Sequence, residues 1–98
     1  MALYVNWQEL ETKASELEGY NNTLKSECDS YEQAGLALRS SFEGDAAEEF
    51  FREVQDHKAK MVLFIELIGK YVAAMRNMAS DAKSAAARAQ AEVQTKNY

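Results

Sequence analysis

Few residues in this 98-residue chain carry chemistry, and their spacing does not assemble a site. His57 is the lone histidine and Cys28 the lone cysteine, so a metal centre with the usual Cys/His spacing has no ligands to draw on. Both fall on apolar stripes, which reads as a half-buried packing imidazole and a buried structural thiol rather than a base and a nucleophile. Carboxylates are plentiful, but a catalytic pair needs an enclosing cleft, and their spacing describes solvated helix faces. Gly19, Gly35, Gly44 and Gly69 stand apart, so there is no glycine-rich phosphate loop. The sequence therefore predicts no catalytic residue, no metal site and no cofactor: a protein that binds proteins, not an enzyme.

The elements that must carry such binding are two long helices. Leu3, Trp7, Leu10, Ala14, Leu17, Asn21, Leu24, Cys28, Tyr31, Gly35 and Leu38 recur at 3-4 spacing. After a short break, Ala47, Phe50, Val54, His57, Met61, Phe64, Ile68, Tyr71, Met75, Met78 and Ala82 do the same. A heptad seam of this length, interrupted once and free of proline, predicts an all-α antiparallel helical hairpin with helices over about 6–40 and 45–90. Asn6 can cap the first helix, with Glu9 three residues on and Val5 stapling Leu10; Asp45 can cap the second. Folding about residue 43 places Gly35 near Phe50 and Phe51. The whole of 1–98 forms one domain, with a frayed helical tail from about 84, where the Ala-rich stretch has little to pack on.

A second stripe, one residue behind the predicted inner seam, holds Phe51, Ile65 and Val72, with Leu67 nearby. A helix apolar over that width cannot hide it all against one partner. Phe51, Ile65, Leu67 and Val72 are therefore the predicted dimer interface, pairing hairpins into a four-helix bundle. Asn21, polar on the inner seam, reads as a register device.

Net charge is −5, and residues 1–44 hold all of it, with eight acids and three bases against eight of each in 45–98. That balance argues against nucleic acid and against anionic membrane surfaces. No apolar run approaches the length that spans a bilayer. The opening Met1-Ala2-Leu3-Tyr4-Val5 has neither a basic end nor a long apolar core, so no Sec-type signal peptide is expected.

The break itself, Phe42-Glu43-Gly44 followed by Ala46, Ala47 and Phe50, resembles the turn of the Trp-x-Gly (WXG, ESAT-like or Esx) family of small helical-hairpin proteins. The turn motif is thus assigned to Phe42, Gly44 and Ala46, with Phe42 expected to pack on Ala46, Ala47 and Phe50 and close the hairpin end. The resemblance extends over essentially the whole chain in length, motif position and lack of proline. It implies a non-enzymatic substrate of the type VII (ESX/Esx) secretion system, made in the bacterial cytoplasm and secreted as a folded homodimer or heterodimer without a Sec signal. Phenylalanine stands where the family has tryptophan. The family's tail signal Tyr-x-x-x-Asp/Glu is not present, which shifts recognition by the machinery to Arg88, Gln90 and Glu92 or to a partner's tail. Two alternatives remain: an adaptor that binds the helical N-terminal region of a larger exported toxin, and a cytosolic coiled-coil scaffold.

Overall fold

The computed structural model describes residues 6–96, with side chains described through residue 93; Leu3 and the Val5 staple lie outside that range. Two helices, α1 (Trp7–Ser41) and α2 (Asp45–Lys96), pack against each other as a hairpin 83 Å long and under 20 Å across. The Asn6 side chain accepts from the Glu9 N–H at 3.1 Å, satisfying one of the orphan donors at the start of α1. At its other end, Ser40 and Ser41 donate their hydroxyls back to the carbonyls of Leu36 and Ala37, and Phe42 leaves the helix in an extended conformation.

Gly44 makes the turn with φ +109°, a conformation that an L side chain would penalise. Asp45 is already the first residue of α2, so Gly44 and not Asp45 occupies the cap, and the Gly44 carbonyl accepts from the Glu48 N–H at 3.3 Å. The Glu48 carboxylate instead reaches across the turn. Arg39 clamps it through Nε and Nη2 at 3.1 and 3.3 Å, while the same guanidinium lies 4.4 Å over the Phe51 ring.

Only one of the two alternating rows predicted for the α1 seam turns fully inward; of the other, Leu10, Leu17 and Leu24 are half-buried and Tyr31 and Leu38 are exposed. Ala14, Asn21, Cys28 and Gly35 are buried at successive heptad steps, with Trp7 half-buried at the head of the row. On α2 the seam is rotated from the expectation. Val54, Met61, Ile68, Met75 and Ala82 keep their places, but Phe51, Lys58, Ile65, Val72 and Ala79 turn inward where Phe50, His57, Phe64, Tyr71 and Met78 were expected. The reason lies in the mate. Every member of the α1 row except Trp7 is small, so the two backbones approach closely and the most buried facing positions, Val54, Ile65, Val72 and Ala79, are compact or β-branched, whereas Phe51 and Lys58 are only half-buried.

Gly35 shows how close that approach is: a Cβ built there would sit 2.8 Å from Val54 Cγ1. It meets Val54, a turn beyond the Phe50–Phe51 pair expected of a fold about residue 43. Asn21 donates from Nδ2 to the Ile65 carbonyl at 3.1 Å, a long-range tie between helices, and its buried Oδ1 has no partner. Leaving that oxygen dry costs about 1–3 kcal/mol, which fits a residue kept for alignment rather than stability.

Ion pairs line one flank of the seam. Glu18 takes both terminal nitrogens of Arg76 at 2.8 and 3.2 Å, and Lys58 pairs with Glu32 in a partly buried contact. Lys83 Nζ lies 4.9 Å over the Trp7 ring. The Arg76 guanidinium holds the Glu18 carboxyl below its ordinary value, and the hydrogen bond to Glu32 raises the Lys58 ammonium above its own. The lowered acid stabilises the hairpin above the ordinary carboxylate range and ceases to as pH falls through its folded value. The raised base stabilises below the ordinary lysine value and ceases to as pH rises through its folded value.

α2 runs as helix to Lys96, longer than the expected end near 90, and passes the level of Trp7 opposite Lys83.

Two expectations follow from the seam. Gly35→Ala should destabilise the hairpin by about 1–3 kcal/mol through overpacking, and Val54→Ala in the same chain should recover part of that loss; urea titrations of the single and double variants measure both. Thermal melts across pH should show a plateau that declines in acid and in strong alkali, and Arg76→Gln should shallow the acid limb selectively.

Candidate functional site

The rotation of α2 decides what the hairpin shows to solvent. Three of the four residues assigned to a dimer interface, Phe51, Ile65 and Val72, pack between the hairpin's own helices, with Ile65 9% and Val72 5% exposed. They are not free to bind another chain. Leu67 stays on the surface, half exposed. The row that replaces them is Phe50, His57, Phe64, Tyr71 and Met78, at a repeat of seven residues, with Phe64 55% exposed and its neighbours comparable. His57, expected half-buried, is exposed within this row.

This row lies on the flank away from the ion pairs, and α1 extends it. Phe64 and His57 share a shallow hollow with Leu24 and Met61. Leu38, Phe42, Ala46, Ala47 and Phe50 line a second, almost wholly apolar groove at the turn end. Leu10, Leu17, Leu24, Tyr31 and Leu38 therefore form the α1 edge, each half-buried or exposed, and the large α2 row forms the other. The two edges make one apolar face down the side of the hairpin. The opposite flank presents Glu18, Lys25, Arg76 and Asn77 around a hollow that Val72 and Ala73 also line.

Aromatic side chains present about 150–250 Å² each, so at roughly half exposure the α2 row together with Leu67, Tyr31 and Leu38 leaves about 700 Å² of apolar surface in water. Monomers seldom expose a contiguous patch of that size. It also matches the roughly 800 Å² that each partner gives to a standard interface.

Of the turn motif, Gly44 has the positive φ that the sequence anticipates. Phe42 does not close the hairpin end: it is 62% exposed and walls the open groove that Ala46 floors. Arg88, Gln90 and Glu92 are exposed on the part of α2 that passes α1. The residues that sequence reasoning misplaced carried a usable signal. The all-small row Ala14, Asn21, Cys28 and Gly35 demands compact partners, which favours Val54, Ile65, Val72 and Ala79 over rings.

Among the described residues no group of His, Cys, Asp and Glu is placed to hold a metal ion, and no helix is long and apolar enough to cross a membrane. No family model, curated protein or solved structure matches the chain.

Adjacent residues should now behave oppositely. Ile65→Ala should cost about 2–4 kcal/mol of hairpin stability, whereas Phe64→Ala, measured by denaturation at low protein concentration, should change it by about 0.5 kcal/mol or less. Equal losses at both positions would return Phe64 to the inner seam.

Proposed function

We propose that this chain is a non-enzymatic helical hairpin that binds another helical protein along its apolar face and is exported, folded and assembled, by type VII secretion machinery. The observation that carries the binding reading is the face itself: a 29-residue run of α2, from Phe50 to Met78, presents a large or aromatic side chain at every heptad step to water. A face about 42 Å long, at 1.5 Å per residue, suits the side of a second hairpin better than a small ligand. The export reading rests on the aromatic-x-Gly turn and its resemblance to the ESAT-like proteins. The exposed end of α2, with Arg88, Gln90 and Glu92, is the part of the hairpin that stays accessible once the face is covered.

Export would be tested in a type VII-competent host with and without its secretion ATPase, using culture supernatants. The protein should leave the cell only when the ATPase is intact. Phe64→Glu with Tyr71→Glu, which touches exposed positions only, should keep the chain helical and retain it inside. Release without the ATPase would overturn the export reading. Release only beside a larger co-expressed protein with a helical N-terminal region would make the chain an adaptor.

A further inference from the structure

The flank opposite the apolar face carries a hollow that the hairpin itself does not fill. We propose that it is a second docking site, a socket for the side-chain carboxamide of a glutamine or asparagine on a separate helical protein, with Asn21 at its base. The socket stands apart from the apolar face and from the export reading.

The hollow measures about 370 Å³, with Glu18, Asn21, Lys25, Gly69, Val72 and Arg76 in its wall. Asn21 and Val72, each 5% exposed, are its buried members and form the deep end; the others stand around the mouth. Gly69 gives the hollow its room. A Cβ built there would meet nothing within 4 Å, and the residue lies inside helix α2 without a positive φ. Glycine in a helix interior is destabilising relative to alanine, and neither a packing contact nor a backbone conformation within the hairpin calls for one here. What Gly69 keeps open is the space beside Asn21.

Asn21 gives that space its chemistry. Its Nδ2 is spent on the Ile65 carbonyl, and its buried Oδ1 has no partner. Buried polar atoms in native proteins are nearly always paired, so the orphan acceptor calls for a donor brought in from outside. At the mouth, Glu18 and Arg76 already satisfy each other at 2.8 and 3.2 Å. Lys25 makes no hydrogen bond or ion pair among the described residues, and its ammonium is the donor left over.

An occupant must therefore donate at the base and accept at the mouth. A carboxylate has no proton to give Asn21. An ammonium or guanidinium has no acceptor for Lys25 and would sit beside two like charges, Lys25 and Arg76. A hydroxyl holds both functions on one atom, which does not serve two groups at different depths. A primary carboxamide carries donor and acceptor on separate atoms and bears no charge. The methylenes of a glutamine stem can lie along Val72 and Ala73 on the way in. The hollow opens between two antiparallel helices, so a third helix lying along this flank can present such a side chain as a knob presented to a hole.

NMR of the isotopically labelled full chain tests the socket, with N-acetylglutamine methylamide as probe and its glutamate and lysine counterparts as controls. The glutamine probe should shift the Asn21 side-chain NH2 and the Gly69 N–H saturably, and the two charged probes should bind about fivefold more weakly or worse, the worth of one net hydrogen bond. Gly69→Leu, which fills open space, should leave the chain helical and abolish the shifts. Lys25→Met, at an exposed position, should weaken binding several-fold with the fold unchanged. Equal responses to all three probes, shifts that survive Gly69→Leu, or no saturable shift with the glutamine probe up to about 100 mM would each overturn the socket. Tighter binding of the glutamate probe would overturn the carboxamide as its occupant.

Discussion

Close approach of the two helices is the constraint on which the rest of this molecule depends. Ala14, Asn21, Cys28 and Gly35 give α1 a row with almost no side-chain bulk, and Gly35 leaves so little room that even a methyl group would collide with Val54. Backbones brought this near leave no room for rings at the deepest positions, and Trp7 and Phe51, the rings that do reach the seam, stay half-buried toward its two ends. Compact and β-branched residues take the facing positions. Burying each such Val or Ile contributes about 1.5–3 kcal/mol, and the hairpin is held chiefly by that row.

What is excluded from the seam must go somewhere, and α2 is helical, so a rotation of one residue moves a whole row by about 100°. Phe50, Phe64, Tyr71 and Met78 are thereby placed on one flank, with Leu67 beside them. The tight seam and the apolar face are two consequences of a single packing choice. A looser hairpin with the rings inside would have hidden that face.

The other flank is settled by charge. Glu18–Arg76, Glu32–Lys58 and Arg39–Glu48 tie the helices together where water has access. Water screens pairs in such positions, so each adds little to stability and their main effect is on alignment. Asn21 acts in the same sense from inside the seam, fixing α1 against the Ile65 carbonyl at the cost of an unpaired oxygen. The longest run of exposed apolar side chains therefore lies on one flank, although Leu36, Val62 and Leu63 also reach water outside it.

Local pattern determined a great deal here. The 3-4 repeats, the missing proline, the Asn6 cap and the isolated Gly44 are properties of near neighbours in the chain, and they set two helices, one turn and the row Ala14, Asn21, Cys28 and Gly35 of the α1 seam. The identity of the α2 seam was different. α2 is apolar over three adjacent rows, and periodicity weighs Phe50, Phe64 and Tyr71 as heavily as Phe51, Ile65 and Val72. Only the mate could choose between them, because the choice depends on how near α1 comes, and that distance is set by the small side chains of Ala14 and Cys28 and the lack of one at Gly35. Size complementarity across the helix pair, invisible along either helix, decided which residues became core and which became the face.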